Sequence, residues 1–299
     1  MREISIVIPM YNAENTIIRA LESINKQGIN NLEVIIVDDG STDNSVKVTK
    51  EYIAKCNNFK FKLFCLEENH GAAHSKTYGV RKVNTKYFIL LDSDDEFSRT
   101  DALKIILKKL EDKPDYICGS SEKVILDNNK VKFFSYKKIK KPYKYMMRFP
   151  FNYLGAHPSI FNTKKFLEVG GFDDDLKWGD GLAHIRRYSK KFSNIRYIDK
   201  NIYNYYLDGN NISKQNTNYI NYIKLVEKCY YENLDYLKEH KSDLITWEII
   251  LFYLYIKNKD NQKQNLKFKL LIKLIVLNPI KFFQSISYLS YKFIKKVYK

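Results

Sequence analysis

The sequence predicts an α/β fold, with a mostly parallel central sheet carrying helices on both faces, followed by a helical C-terminal extension. Two observations predict it. Up to about residue 200, short β-branched apolar runs alternate with stretches of helical periodicity. Beyond about residue 215 glycine disappears, one proline remains (Pro279), and Lys, Tyr, Leu and Ile dominate.

The first apolar run, Ile4 to Ile8, stops at Pro9 and reads as a buried strand. Asn15 or Thr16 can cap a helix through Gln27, with Ile17, Ile18, Leu21 and Ile24 on one face. Val34 to Val37 is a second strand ending in Asp38-Asp39-Gly40-Ser41. Ser41 or Thr42 then begins another helix, with Val46 and Ile53 turned inward. Phe61 to Leu66 and Tyr87 to Leu91 read as the third and fourth strands, and a helix is expected from near Ser98. Strands alternating with helices at this spacing pair in parallel, and such sheets bind ligands beyond the carboxyl ends of their strands. Polar residues collect there: Tyr11-Asn12, Asp38-Asp39, Glu67 to His70, and Asp92 to Asp95.

The 299 residues are 44% hydrophobic and 28% charged, which excludes disorder as the main state. Cys56, Cys65, Cys118 and Cys229 are widely spaced with no C-x-x-C pair, which argues against a zinc knuckle or disulfide framework and points to a reducing compartment. The N-terminal apolar run is too short for a signal peptide. The longest apolar stretch, Ile249 to Ile256, falls far below the roughly 20 residues that span a bilayer. A soluble or peripheral protein is expected. Its net charge of +17 calls for an acidic partner or surface.

From Lys257 to Lys299 there are eleven lysines, no arginine and one acid (Asp260), a net +10. Pro279 should divide this region into two helices. Phe282, Phe283, Ile286, Leu289, Phe293, Ile294 and Val297 recur at helical spacing between the lysines. Aromatic and aliphatic residues on one face, with lysines for anionic headgroups, suit an amphipathic membrane-surface anchor. A helical lid with solvated lysines is the alternative. A nucleic-acid patch is disfavoured, because no nucleic-acid motif accompanies the charge.

The richest chemistry lies in Asp92-Ser93-Asp94-Asp95. A strand delivering Asp92 and Asp94 two apart would point both to one side. Mg2+ or Mn2+ commonly takes one or two carboxylates plus substrate phosphates. A solvated Asp-rich turn capping the next helix explains the same residues.

Ile6-Val7-Ile8-Pro9-Met10-Tyr11-Asn12-Ala13-Glu14, with Glu33 to Asp43 (EVIIVDDGSTD), resembles the nucleotide-sugar half of a family 2 glycosyltransferase. Further matches follow in order: Glu68-Asn69-His70-Gly71 with Ser75-Lys76, then Asp92-Ser93-Asp94-Asp95 as the D-x-D, then Val169-Gly170-Gly171-Phe172-Asp173. Tyr205 to Ser213 (YYLDGNNIS) resembles the segment that closes over the site. The resemblance covers residues 1 to about 215. It implies the GT-A fold, Rossmann-like, with a catalytic domain at 1–215 (nucleotide-sugar half about 1–97, acceptor half about 98–215) and a basic amphipathic helical region at 216–299.

By that resemblance Pro9, Tyr11, Glu14 and Asp39 would surround the uracil and ribose of a UDP-sugar. Tyr11 offers a π-face and Asp39 an acceptor for a ring N–H. Simple core packing, or an Asx-turn, explains these two equally simply. Asn69, Gly71 and Lys76 would lie near the nucleotide and its phosphates. Asp94 would be the main metal ligand. Asp92 would reach the metal or ribose beside Ser93, with Asp95 supporting them from behind.

Family members usually carry Glu-Asp shortly after the G-G-F-D turn, the Asp taking the acceptor's proton. Here Asp180 stands at that Asp and Gly179 replaces the Glu, with Asp174 and Asp175 as rivals. The following Leu182, Ala183 and Ile185 read as the first turns of a helix. His157, Trp178 and Gly179 would face the acceptor, and His157 reads equally as a buried histidine. His184 either touches Asp180 from one turn away or packs.

The activity implied is inverting, metal-dependent sugar transfer from a UDP-sugar to a hydroxyl of a lipid-linked glycan acceptor. The setting would be bacterial capsule, lipopolysaccharide or wall polysaccharide synthesis, in the cytoplasm at the inner face of the membrane, with an anionic membrane surface as partner and no nucleic acid. The competing class is a basic membrane- or nucleic-acid-binding protein with a degenerate nucleotide-sugar site.

Overall fold

In a computed structural model, the described residues are 4–30, 32–125, 130–134, 138–152, 154, 158–177, 179–207 and 219–257. The chain divides into two compact units, one of Met1–Pro142 with Tyr153–Gln215 and one of Tyr143–Asn152 with Asn216–Lys299.

The first unit is built on a sheet of eight described strands. They are β1 (Ile4–Met10), β2 (Glu33–Asp38), β3 (Lys60–Cys65), β4 (Tyr87–Leu90), β5 (Tyr116–Ile125), β6 (Lys130–Phe134), β7 (Ser159–Asn162) and β8 (Ile195–Leu207). The order is β3-β2-β1-β4-β7-β5-β6, and β8 pairs with β5. The first four strands are parallel. β7 is antiparallel to β4 and β5, β6 is antiparallel to β5, and β8 is parallel to β5. The sheet is therefore parallel across the half that carries the predicted nucleotide motifs and mixed beyond it.

Alternation along the strands separates two buried faces. Ile6, Ile8, Val34, Ile36 and Ile89 pack with Ile17, Ala20, Leu21 and Ile24 of α1 (Ile17–Asn25). Leu103, Ile106 and Leu110 join the same core from a later helix, Ala102–Leu110. Val7, Ile35 and Val37 face the opposite way, towards Gly79, where a Cβ would come within 2.5 Å of Val7. Burial on both faces explains why β1 and β2 read as continuous apolar runs rather than alternating ones.

α1 begins at Ile17 with Thr16 at its N-cap, as expected, although the Thr16 hydroxyl turns back to the Ala13 carbonyl and caps no amide. The next helix starts differ from expectation. α2 (Ser45–Lys55) begins beyond Ser41 and Thr42 because those residues are held by the loop after β1. Asn12 donates its amide to the Ser41 hydroxyl, and Thr42 donates its amide to the Asn12 side chain. α3 spans Ala72–Arg81. α4 (Ala102–Leu110) starts well after Ser98, whose amide pairs with the Ile202 carbonyl of β8.

α5 (Pro142–Met147) bridges the unit boundary. α6 (Thr163–Glu168) and α7 (Asp180–Lys191) complete the first unit. The second holds α8 (Tyr219–Glu232), α9 (Leu234–Glu239) and α10 (Lys241–Lys257). Its core includes Leu225, Val226, Leu237, Trp247, Ile250 and Leu254. The Trp247 indole donates to the Met147 carbonyl at 2.6 Å, which satisfies the one polar atom of a fully buried ring. The lysine-rich stretch after Lys257 lies outside the described residues, and so does the expected break at Pro279. Among the described residues no helix is long and apolar enough to cross a membrane.

Candidate active site

The loops leaving β1, β2 and β3 are tied to one another. Glu14 accepts from the backbone and side-chain amides of Asn44, both at 3.0 Å. Glu14 in turn donates its own amide to Asp43. Asp39 is buried and accepts two backbone N–H bonds, from His70 at 3.1 Å and Gly71 at 2.8 Å. Asp39 thus fixes the start of α3. Gly71 stands at that start with φ +95°, and the space in front of its Cα is open. Tyr11 is exposed at the rim, Asn69 is also exposed, and Pro9 is buried in β1.

The acidic cluster lies on a turn, not on a strand. β4 ends at Leu90, and the Asp95 amide closes the turn onto the Asp92 carbonyl at 3.1 Å. The expectation that strand alternation points Asp92 and Asp94 to one side is therefore corrected, because the chain bends before it reaches them. Asp95 is fully buried and accepts from the Tyr203 hydroxyl at 2.7 Å and the Tyr206 amide at 3.0 Å. Burial, with Asp94 and Asp92 beside it, pushes the Asp95 carboxyl well above the ordinary range. Ser93 is half-buried on the same turn.

Lys76 reaches into this cluster from α3. Its ammonium lies 3.1 Å from Asp92 Oδ1. Burial disfavours the charge, but Asp92, Asp180 and Asp94 outweigh it and hold the lysine protonated. Asp180 is the first residue of α7, and Gly179 before it adopts φ +84°. That left-handed conformation suits glycine and disfavours the Glu common at this place. Burial pushes the Asp180 carboxyl up, while the Lys76 charge pulls it part of the way back.

The rival acids lie elsewhere. Asp175 is exposed, and Asp174 is exposed and pairs with His74 at 3.1 Å. His184 packs: its ring sits 4.3 Å from Phe166 and 5.0 Å from Phe172, and burial drives its pKa well below the ordinary value. His157, Trp178 and residues 208–213 of the closing segment lie outside the described residues.

The family model described as glycosyl transferase family 2 matches residues 5–168, more than half of the chain. The chain belongs to glycosyl transferase family 2. This family 2 chain is 26% identical over 284 residues to an uncharacterized glycosyltransferase of Rickettsia felis, covering 89% of itself and 43% of that protein. It is 41% identical over 98 residues to the teichoic acid poly(glycerol phosphate) polymerase of Staphylococcus epidermidis, covering 33% of itself and 14% of the polymerase. The chain thus spans less than half the length of these curated relatives. S. aureus TarS 1-349, solved with UDP-GlcNAc, superposes with a TM-score of 0.66 at 18% identity, over 92% of this chain and 81% of that one. The mannosyltransferase PcManGT from Pyrobaculum calidifontis, solved with GDP-Man and Mn2+, superposes with a TM-score of 0.61 at 14% identity, over 99% and 81%. These likenesses establish the GT-A fold for this glycosyl transferase family 2 chain.

The donor set of the acidic turn can be judged by its chemistry. Asp95 is occupied by two donors from β8, and Asp92 and Asp94 are the other carboxylates of the turn, Asp92 pairing with Lys76 at 3.1 Å. Among the described residues no three His, Cys, Asp or Glu side chains are arranged to hold a metal ion by themselves. Two carboxylates suit a cation that takes its other ligands from a phosphate substrate.

Arg19 and Tyr203 of this family 2 site carry no signal in the sequence, whereas Tyr206 falls in the Tyr205–Ser213 stretch that resembles the closing segment. Arg19 of α1 donates to the Asp94 carbonyl and lies over the Tyr206 ring, 3.8 Å from its centroid. Tyr203 and Tyr206 meet the acidic turn from more than a hundred residues away.

Proposed function

We propose that this chain transfers a sugar from a UDP-sugar to a hydroxyl of a glycan acceptor, inverting the anomeric centre. One observation carries the reading. Lys76 on α3 lies 3.1 Å from Asp92 Oδ1 on the turn after β4, and its charge is further stabilised by Asp180, the first residue of α7, and by Asp94. The UDP-GlcNAc and UDP complexes of TarS support a uridine donor on this fold.

In this reading Pro9, Tyr11, Glu14, Asp39, Asn69 and Gly71 form the nucleotide side, with Glu14 and Asp39 acting through the loops they hold. Lys76 faces the donor diphosphate. Asp180 accepts the acceptor's hydroxyl proton as that oxygen bonds to the anomeric carbon. The bond from that carbon to the diphosphate oxygen breaks, and its electron pair leaves with UDP. Asp94 and Asp92 would hold Mn2+ or Mg2+, which supplies charge neutralisation on the leaving diphosphate. The Mn2+ complex of PcManGT supports such a cation.

The acceptor we propose is a lipid-linked glycan of a bacterial surface polysaccharide, a reading supported by the teichoic acid polymerase among the relatives. A peripheral position at the inner membrane face, through the lysine-rich region at 257–299, would present the site to it. Residues 1–215 would be the catalytic domain and 216–299 the basic region.

A panel of UDP-sugars, with GDP-Man as comparison, tested for metal-dependent hydrolysis and transfer checks the proposal. Asp180→Asn should lower kcat about 10²–10⁴-fold and leave donor binding in place. Undiminished transfer by Asp180→Asn overturns the base assignment, and activity untouched by a strong chelator overturns the cation's role.

A further inference from the structure

The turn between α6 and α7 is held from both ends by side chains with no part in the chemistry above. Gly170 and Gly171 adopt φ +93° and +75°, so the chain reverses tightly after α6. Arg187 reaches back into this turn. Its guanidinium donates to the Val169 carbonyl at 3.2 Å, the Gly171 carbonyl at 2.9 Å and Asp173 Oδ2 at 2.7 Å. From the other side, α3 receives the tip of the turn. The Phe172 amide donates to Thr77 Oγ1 at 3.0 Å, and His74 pairs with Asp174 at 3.1 Å. A Cβ on Gly171 would stand 2.7 Å from Thr77 Cγ2, so the contact is close.

Arg187 and Asp180 are seven residues apart, two turns of α7, and so lie on one face of it. Thr77 and Lys76 are neighbours on α3. The two helices are therefore linked twice, by the Lys76–Asp180 attraction and by a hydrogen-bonded bridge from Arg187 through the turn to Thr77. The guanidinium satisfies two carbonyls and a carboxylate at once, which a lysine cannot reproduce.

We infer that Arg187 and Thr77 are positioning residues, setting the distance from the base helix to the helix that faces the donor diphosphate. The inference rests on the proposed role of Asp180. A misplacement of about 1 Å at a reacting group can cost about 100-fold in rate, so the effect should fall on kcat.

The test uses the full chain, with Arg187→Met, Thr77→Val, Thr77→Ser and Asp180→Asn side by side. Steady-state transfer, UDP binding by calorimetry, and hydrogen exchange of the Phe172 amide are measured. Thr77→Val and Arg187→Met are expected to lower kcat about 10- to 100-fold with UDP affinity within about twofold of wild type. Thr77→Ser, which keeps the hydroxyl, should recover most of the rate, and Thr77→Val should speed Phe172 exchange. Wild-type kcat in both variants, beside an inactive Asp180→Asn, overturns the inference alone. An active Asp180→Asn overturns the base assignment instead. Should Arg187→Met not fold, Thr77→Val and Thr77→Ser decide: equal rates, or a parallel loss of kcat and UDP affinity, reject the positioning role.

Discussion

Tyr203 donates its hydroxyl proton to Asp95 Oδ2 across 2.7 Å, joining the last strand of the sheet to the acidic turn. The same hydroxyl accepts the Asp92 amide at 3.3 Å. One buried oxygen therefore braces the turn at two of its residues. Tyr203→Phe should lower the unfolding free energy by about 1–3 kcal/mol, because a buried acceptor and a backbone donor lose their partner. Urea unfolding checks this, and an unchanged midpoint and slope would contradict it.

Lys76 offers a test by pH. Burial raises the Asp180 carboxyl and Lys76 pulls it back, leaving it above the ordinary aspartate value. A base must be ionised, so transfer should rise with pH through that raised value. Lys76→Met removes the opposing charge and should move this limb of the kcat profile to higher pH. A limb that stays in place would detach Lys76 from the base.

Gly179→Glu restores the residue usual for the family at a position with φ +84°. A side chain in the left-handed region costs roughly 1–2 kcal/mol. The variant should melt earlier than wild type and gain no activity. Thermal unfolding with parallel transfer assays decides.

Glu33 tests the sheet apart from the site. Burial pushes its carboxyl up, but Lys62 at 2.7 Å and the Ser5 hydroxyl at 2.7 Å outweigh burial and hold it below the ordinary value. A carboxyl lowered in the folded state contributes stability that is present above its unfolded value and lost as pH falls through its folded value. Glu33→Gln should be less stable than wild type at neutral pH, and the gap should narrow on acidification. A gap that widens towards acid would reverse the sign assigned here.

β1 and β2 were legible because both of their faces are buried, so they appear as unbroken apolar runs. Asp180 was legible as the start of a helix from the Leu182-Ala183-Ile185 pattern behind it. The helix starts were less so, since Ser41 and Thr42 look like caps until Asn12 is seen to occupy them. Arg187 and Thr77 were invisible, because a turn held between two helices leaves no periodicity in either. Tyr203 was hidden for a related reason: its partner is 108 residues away, and nothing local distinguishes it from the other tyrosines of β8.

The cross-ties among Asn12, Glu14, Asp39, Ser41 and Asn44 join the loops at the carboxyl ends of the first three strands through the chain's own side chains and amides. Their conformational freedom is already lost when the chain folds. In the proposed reading a nucleotide meeting this rim would dock on a finished template, so little of its binding energy would be diverted to ordering protein. Discrimination between nucleotides would then fall to the fixed shape of the rim.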